Sequence, residues 1–503
     1  MKNIPLNVVI KMKNFGLLLG VFLFFSACGS SRLVTKSPKR EFRGVWVATV
    51  VNIDWPKKST DAIEKQKEDF ITILSFYKNL NFNAVLVQVR TAGDAFYASE
   101  HAPYSRFLTG KEGLATTNNF DILQWMIRTS HEYGMEFHAW LNPYRATFDE
   151  NLSLLASTHD AITHPDWMIK YGKKYYYNPG LPAVQEHFNF VISELVNTYD
   201  IDGIHFDDYF YPYKIQGESF DDVATYETLK KEGQTIDDWR RSNIDTLVKN
   251  TYTTIKHAKP WVQFGVSPFG VWKNVKTDPK GSHTTAGQTT YEDLYADPLV
   301  WMKNGWVDYL APQLYWSMNL PVASHKVLAD WWNDNNYNTP IIIGNGAYKI
   351  RNNADTAWDK KKELPFQLSY ARQKKNIEGN ILFSAKSLMN ANADVVALLK
   401  HKMYKKVVHT PRKNNDYSHP NAPNKSEIIR TTTGIRIQPK KAAQIRFVII
   451  KEPKAKGQKT SRLGVAENGR IHIPILNKKQ VIRISYIDVF GKESAIFHYQ
   501  IKP

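Results

Sequence analysis

Residues Gly203–Pro212 read GIHFDDYFYP. A short apolar run enters two adjacent carboxylates and leaves through three aromatic rings. Side chains alternate along a strand, so His205 and Asp207 share one face and Ile204 and Phe206 the other. The apolar pair suits a covering of helices. His205 and Asp207 are therefore expected to face the inside of a closed sheet, with Asp207 at its mouth and Asp208 where the strand ends.

The same unit, a β-branched run ending in polar or aromatic residues and followed by an amphipathic stretch, recurs on both sides. The expected strands are Phe42–Val50, Ala84–Arg90, Glu136–Arg145, Gly203–Pro212, Gln263–Val271, Val307–Trp316, Pro340–Ile350 and Gly379–Leu388. Helical spacing of apolar residues is read over Thr60–Asn79, Asp121–Tyr133, Pro182–Tyr199, Ile236–His257 and Asp297–Asn304. Continuous Val/Ile/Leu strands separated by helices indicate a parallel sheet covered on both faces. Eight such strands over residues 41–400 select a (β/α)8 TIM barrel, an α/β fold, over an open doubly wound sheet. No phosphate-binding glycine motif follows a strand, which argues against a nucleotide fold.

In this architecture the reactive groups gather at the C-terminal strand ends. Strand 1 runs into Asn52, Asp54 and Trp55. Strand 2 is expected to send Gln88 and Arg90 inward, with Asp94 just beyond. Strand 3 sends His138, Trp140 and Asn142 inward, followed by Tyr144 and Arg145. Strand 6 contributes Gln313 and Tyr315, with Trp316 at the rim; Tyr209 follows the acidic pair. Carboxylates and amides take hydroxyl hydrogen bonds and flat rings stack on sugar faces, so such a basin suits a polysaccharide. Arg90 or Arg145 is expected to hold an aspartate ionised. No histidine cluster of metal-ligand spacing and no GxSxG elbow stands near a strand end. No metal or other cofactor is expected, and His138 and His205 read as hydrogen-bonded core residues at least as well as ligands.

The formal charge is +18, but it is uneven. Residues 401–503 carry 22 Lys+Arg against 6 Asp+Glu, and residues 1–40 carry seven against none, which leaves residues 41–400 at −5. The body is mildly acidic and offers nothing that reads nucleic acid. The basic ends suit an anionic surface, such as lipid headgroups or an acidic wall polymer.

Lys11 and Lys13 precede the apolar run Phe15–Phe25, and Ser26-Ala27-Cys28-Gly29 follows. That run is too short to span a bilayer and has the length of a signal-peptide core. Small residues before the sole cysteine resemble a lipobox. Residues 1–28 are therefore expected to be a lipoprotein signal, with Cys28 lipidated and holding the protein to a bacterial membrane on its periplasmic or surface side, in the cell envelope. Residues 29–40 read as a tether and 401–425 as a linker. Residues 426–503 alternate in short segments with turn residues between, as in a small all-β sandwich of fibronectin type III kind.

Several longer stretches, FRGVWVATVVNIDWP, VQVRTAGDAFY, HAWLNPYR, YYYNPGLPAVQEH, DGIHFDDYFYP and YEDLYADPLVWMKNGWVDYLAPQLYWS, together resemble the glycosyl-hydrolase-like family 10 lipoproteins over residues 40–400. The resemblance implies a TIM-barrel glycosidase. One branch of that family includes a division-site enzyme cutting peptidoglycan glycan strands stripped of their peptides, so denuded peptidoglycan is the expected substrate. The strand-4 stretch is also similar to the chitinase pattern DGxDxDxEYP. Asp202 and Asp207 match two of its acids, but Tyr209 stands where its general acid would be, which argues against a substrate-assisted mechanism. Glycosidases generally use two carboxyl groups. Asp207 is expected to be one, as nucleophile or general base; Asp208, Asp94, Asp54, Glu292 and Asp293 are candidates for the second. A barrel that binds glycan without cutting it, or one that acts on an exogenous polysaccharide, fits the same residues.

Overall fold

Eight short parallel strands close on themselves. They are β1 (Phe42–Val47), β2 (Ala84–Arg90), β3 (Glu136–Leu141), β4 (Gly203–Phe206), β5 (Gln263–Val266), β6 (Tyr309–Leu310), β7 (Ile341–Asn345) and β8 (Ile377–Leu382). Each pairs with the next, and β8 returns to β1. The computed structural model describes residues 33–389, 391–411, 418–431, 434–453, 458–465, 471–474 and 480–501. The expected signal segment and Cys28 lie outside the described residues.

All eight expected strands are present in the expected order, and the fold is the (β/α)8 barrel. Most end earlier than their hydrophobic pattern does: β3 stops at Leu141, β4 at Phe206, β5 at Val266 and β6 at Leu310. Past those points the aromatic and polar residues pack in loops over the barrel mouth, where the strands diverge and the ladder hydrogen bonds stop. Helices Ile63–Asn79, Ile122–Glu132, Pro182–Thr198, Ile236–Ala258 and Pro298–Lys303 fall within a few residues of the expected spans. Two further covering helices, His325–Asp334 and Glu363–Ala371, and a β-hairpin, Met168–Tyr171 with Lys174–Tyr177, were not anticipated.

The barrel interior is filled by large rings set against glycines. Phe42, Trp46, Leu86, Trp140, Tyr309, Ile342 and Ile381 form its core. A methyl on Gly265 would lie 2.0 Å from Tyr309 Cζ, and one on Gly203 would lie 2.5 Å from His138 Nδ1. Strand glycines thus make the volume that the rings occupy.

Polar groups inside this core form one directed chain. Trp46 Nε1–H donates to His205 Nε2 at 3.2 Å, where the Ser267 hydroxyl also lies at 3.0 Å, and His205 Nδ1 faces the Tyr309 hydroxyl at 3.0 Å. Tyr309 then donates to His138 Nδ1 at 3.0 Å, and His138 Nε2 faces Glu136 at 3.4 Å. Burial pushes the His205 pKa well below its ordinary value, so the ring is neutral.

The C-terminal strands make two antiparallel sheets of three and four strands around a shared core that includes Ile437, Val448, Ile450 and Ile484. This module docks on the barrel face opposite the mouth. Arg446 reaches Asp200 at 2.5 and 2.8 Å and Asp202 at 2.9 Å; His131 Nε2 and the Phe137 amide also meet Asp202. Residues 404–410 run beneath the same face, where the carbonyls of Tyr404 and Lys406 accept from Asn81 and Arg43 and Thr410 donates to Glu136.

Candidate active site

Asp207 and Asp208 stand just past β4, both buried at the barrel mouth. Three donors converge on Asp207. Asn142 Nδ2 and Trp140 Nε1 donate to Oδ2 at 2.6 and 3.3 Å, and the Tyr209 amide donates to Oδ1 at 3.2 Å. The Asn142 amide is itself oriented: the Val50 amide donates to Gln88 Oε1 and Gln88 Nε2 donates to Asn142 Oδ1. Asp208 takes the Tyr213 hydroxyl on Oδ2 and Gln313 Nε2 on Oδ1 at 3.0 Å. Gln313 also donates to the Ser267 carbonyl, which fixes it across the mouth.

Burial, and for Asp207 the neighbouring Asp208, push both carboxyls above the usual carboxylate range; Arg145 opposes the rise at each. Buried neighbours of like charge titrate as a pair, the charge on Asp208 making Asp207 harder to ionise. Such a pair can divide into a proton donor and a carboxylate, the two forms that glycosidic cleavage uses.

An aromatic wall surrounds the pair. Arg145 lies 4.6 Å over the Tyr209 ring, and Tyr209 packs on Tyr213 at 5.3 Å. Across the mouth Tyr315 stacks on Phe383 at 6.0 Å and meets Tyr348 edge-on, while Trp316 meets Phe269 at 5.5 Å. Tyr209, Tyr213, Tyr315, Trp316, Phe269 and Phe383 are half-buried and offer ring surface to solvent.

Residues 41–360 match the family described as Glycosyl hydrolase-like 10. The chain is 45% identical over 377 residues to glycosyl hydrolase YngK of Bacillus subtilis (strain 168), across 74% of each chain. The chain belongs to the glycosyl hydrolase-like 10 family. It is also 36% identical over 334 residues to glycosyl hydrolase DigH of Escherichia coli (strain K12), across 63% of this chain and 75% of that one. Among solved structures, the glycoside hydrolase domain of PgaB (BpsB) from Bordetella bronchiseptica aligns at a TM-score of 0.49 and 12% identity, over 72% of this chain and 99% of that one.

Within this family member the barrel mouth gathers Asp207, Asp208, Asn142, Arg145, Tyr209, Gln313, Tyr315 and Trp316 as expected, and leaves six expected residues elsewhere. Arg90 does not point inward. A bulge between Gln88 and Arg90 shifts the register, pairing Arg90 with the outward Leu141. Its guanidinium donates to Tyr177 on the helix side, so Arg145 alone bears on the aspartates. Asp94 closes the loop after β2, accepting from Thr91 and Ala92. Asp54 ties β1 to the end of β8, accepting from Ala48, Ser384 and Lys386. Neither is placed as a second catalytic carboxylate. Trp55 is fully buried against Phe70 and Phe96, with its indole N–H on the Gln66 carbonyl. Tyr144 is also fully buried, and His205 lies beneath the floor in the interior chain. Asp293 is held by Lys214 and the Thr289 amide, and Glu292 accepts from Thr289. Asp202, which matched the chitinase pattern, sits at the opposite end of the barrel on Arg446.

Tyr213, Phe269, Tyr348 and Phe383 also belong to the site; the last three fall within expected strands that end early, Phe269 keeping one parallel bridge to Gln313 and Tyr348 standing in a short 3-10 turn.

Proposed function

We propose that this protein is an exported, lipid-anchored glycoside hydrolase that cleaves peptidoglycan glycan strands from which the stem peptides have been removed. The observation that carries the hydrolytic reading is the buried Asp207–Asp208 pair within an aromatic basin at the barrel mouth. Family membership, the sequence resemblance to the peptidoglycan-cutting branch and the lipobox-like segment at Cys28 support the rest.

Roles follow from the partners of each acid. Every partner of Asp207 is an obligate donor: an indole N–H, an amide NH2 and a backbone N–H. These oppose the rise that burial and Asp208 impose on Asp207, so when the proton of the pair sits on Asp208, Asp207 acts as nucleophile or general base. Asp208 faces the Tyr213 hydroxyl, which can donate or accept. Asp208 can therefore carry the proton without losing that bond, and it protonates the leaving-group oxygen. Arg145 keeps the pair from taking up a second proton.

Incubating the soluble protein with purified denuded glycan strands should release new reducing ends. An Asp207→Asn protein should not. Binding without release of reducing ends by the wild type would favour a glycan-binding envelope lipoprotein. Release only from other polysaccharides would favour an enzyme for exogenous glycans.

A further inference from the structure

The hairpin beside the mouth brings two cations to one face. Tyr176 bridges antiparallel to Arg145, and the amides of Ala146 and Thr147 both donate to the Tyr175 carbonyl at 3.1 Å. Residues 144–147 thus run along the hairpin's edge, joined to it by one antiparallel bridge and flanking backbone hydrogen bonds. Directly opposed residues share a face, as do residues two apart, so Arg145, Tyr176 and Lys174 project together. Arg145 leans over Tyr209 and bears on both aspartates, which aims this face at the mouth.

Neither cation has an acid of its own. Arg145 is 7% exposed, yet among the described residues it forms no ion pair; Nη1 reaches only the Thr91 carbonyl at 3.4 Å, and Nε has no acceptor. Half-buried Lys174 forms none either, and both burial and Arg145 depress its pKa. A buried guanidinium with ring and carbonyl neighbours but no carboxylate in ion-pair contact is costly, and such a cost persists where a ligand supplies the anion.

We propose that Arg145 and Lys174 form a carboxylate-binding subsite beside the cleavage point, which recognises an acidic sugar of the glycan. This rests on the reading of the mouth as a glycan-cleaving site and specifies its substrate. A guanidinium suits a carboxylate because its N–H fork matches the two oxygens. In peptidoglycan the only carboxylate of the sugar backbone is the lactyl group of N-acetylmuramic acid. That group is a neutral amide while the stem peptide is attached and becomes an anion when the peptide is removed. Discrimination for denuded strands then arises from charge at Arg145 and Lys174. A uronic acid presents the same chemistry.

The test measures binding by the Asp207→Asn protein, so that no turnover intervenes. Three ligands are compared: denuded glycan strands, the same strands with their lactyl carboxylates converted to primary amides, and a polyuronate. The free-acid strands should bind roughly tenfold to hundredfold more tightly than the amidated ones, the range for hydrogen bonds to a charged group. Adding Arg145→Gln should bring that ratio close to one. Adding Lys174→Gln, a half-exposed position whose fold is checked by its melting temperature, should narrow it part-way. Equal binding of both strands, or a ratio that neither substitution changes, overturns the subsite. If Arg145→Gln weakens both strands alike, Arg145 acts only through the aspartates and the proposal also fails. Preference for the polyuronate, lost with Arg145→Gln, upholds the subsite and removes the peptidoglycan assignment. Binding to none of the three overturns both.

Discussion

Replacing Asp207 with asparagine should abolish cleavage while raising the stability of the folded chain at neutral pH. Asp207 is 5% exposed. Burial and the charge of Asp208 move its pKa from 3.8 to about 7. At about 1.36 kcal/mol per pH unit this displacement is worth ~4 kcal/mol. Asparagine keeps an oxygen for Asn142 and Trp140, but its NH2 would face the Tyr209 amide, which loses about 1 kcal/mol. Local relaxation and sharing of the proton with Asp208 reduce the remainder, so the net gain should be about 1–2 kcal/mol.

The sign with pH follows from a folded pKa above the unfolded one. The contribution of the protonated carboxyl is fully present below pH 3.8 and is lost as pH rises through about 7. The stability advantage of the variant should therefore be small near pH 4, grow from there to about pH 7 and level off above it. Thermal midpoints at four pH values, read beside reducing-end release, check both claims. Activity should fall roughly a thousandfold or more, as for loss of a catalytic base or nucleophile. Turnover within tenfold of the wild type would refute the catalytic assignment. A midpoint difference that stays flat from pH 5 to 8 would refute the picture of a buried, mutually repelling pair.

Further predictions concern other parts of the molecule. Arg145→Gln removes the charge that opposes protonation of the pair, so the alkaline limb of the pH–rate profile should move to higher pH; a limb unmoved or moved down would contradict this. Tyr309→Phe should destabilise the barrel by about 2–4 kcal/mol, because it leaves the Nδ1 atoms of both His138 and His205 without partners in the core; an unchanged denaturation midpoint would show that the interior chain contributes nothing. Arg446→Met should cost about 3 kcal/mol by removing a buried cation from beside Asp200 and Asp202, readable in chemical denaturation. Finally, Cys28→Ala should end incorporation of a palmitate analogue in growing cells, and a variant that still takes up label would rule out lipidation at that position.

The number and order of the barrel strands, and the face each shows to the inside, were legible in the chain itself. Period-two alternation in GIHFDDYFYP put His205 and Asp207 inward and Ile204 and Phe206 against the helices, where Phe206 meets Phe188. Burial of one face makes that alternation strict, so the pattern survives in the sequence. Alternation fails at a bulge. One extra residue before Arg90 turned a guanidinium expected at the mouth into a helix-side group, with nothing in VLVQVR to mark it. Acidic residues near a strand end look alike in one dimension. Only their hydrogen-bond partners distinguish Asp54 and Asp94, which fasten loops, from Asp207 and Asp208, which stand side by side at the mouth on side chains of other strands. The hairpin that sets Lys174 beside Arg145 joins residues some thirty positions apart through backbone pairing. Local propensity fixes periodicity, and so the chain determined the barrel and its acidic strand. Long-range packing chooses which loops meet, and so only the tertiary structure decided which acids are isolated together and which cations stand beside them.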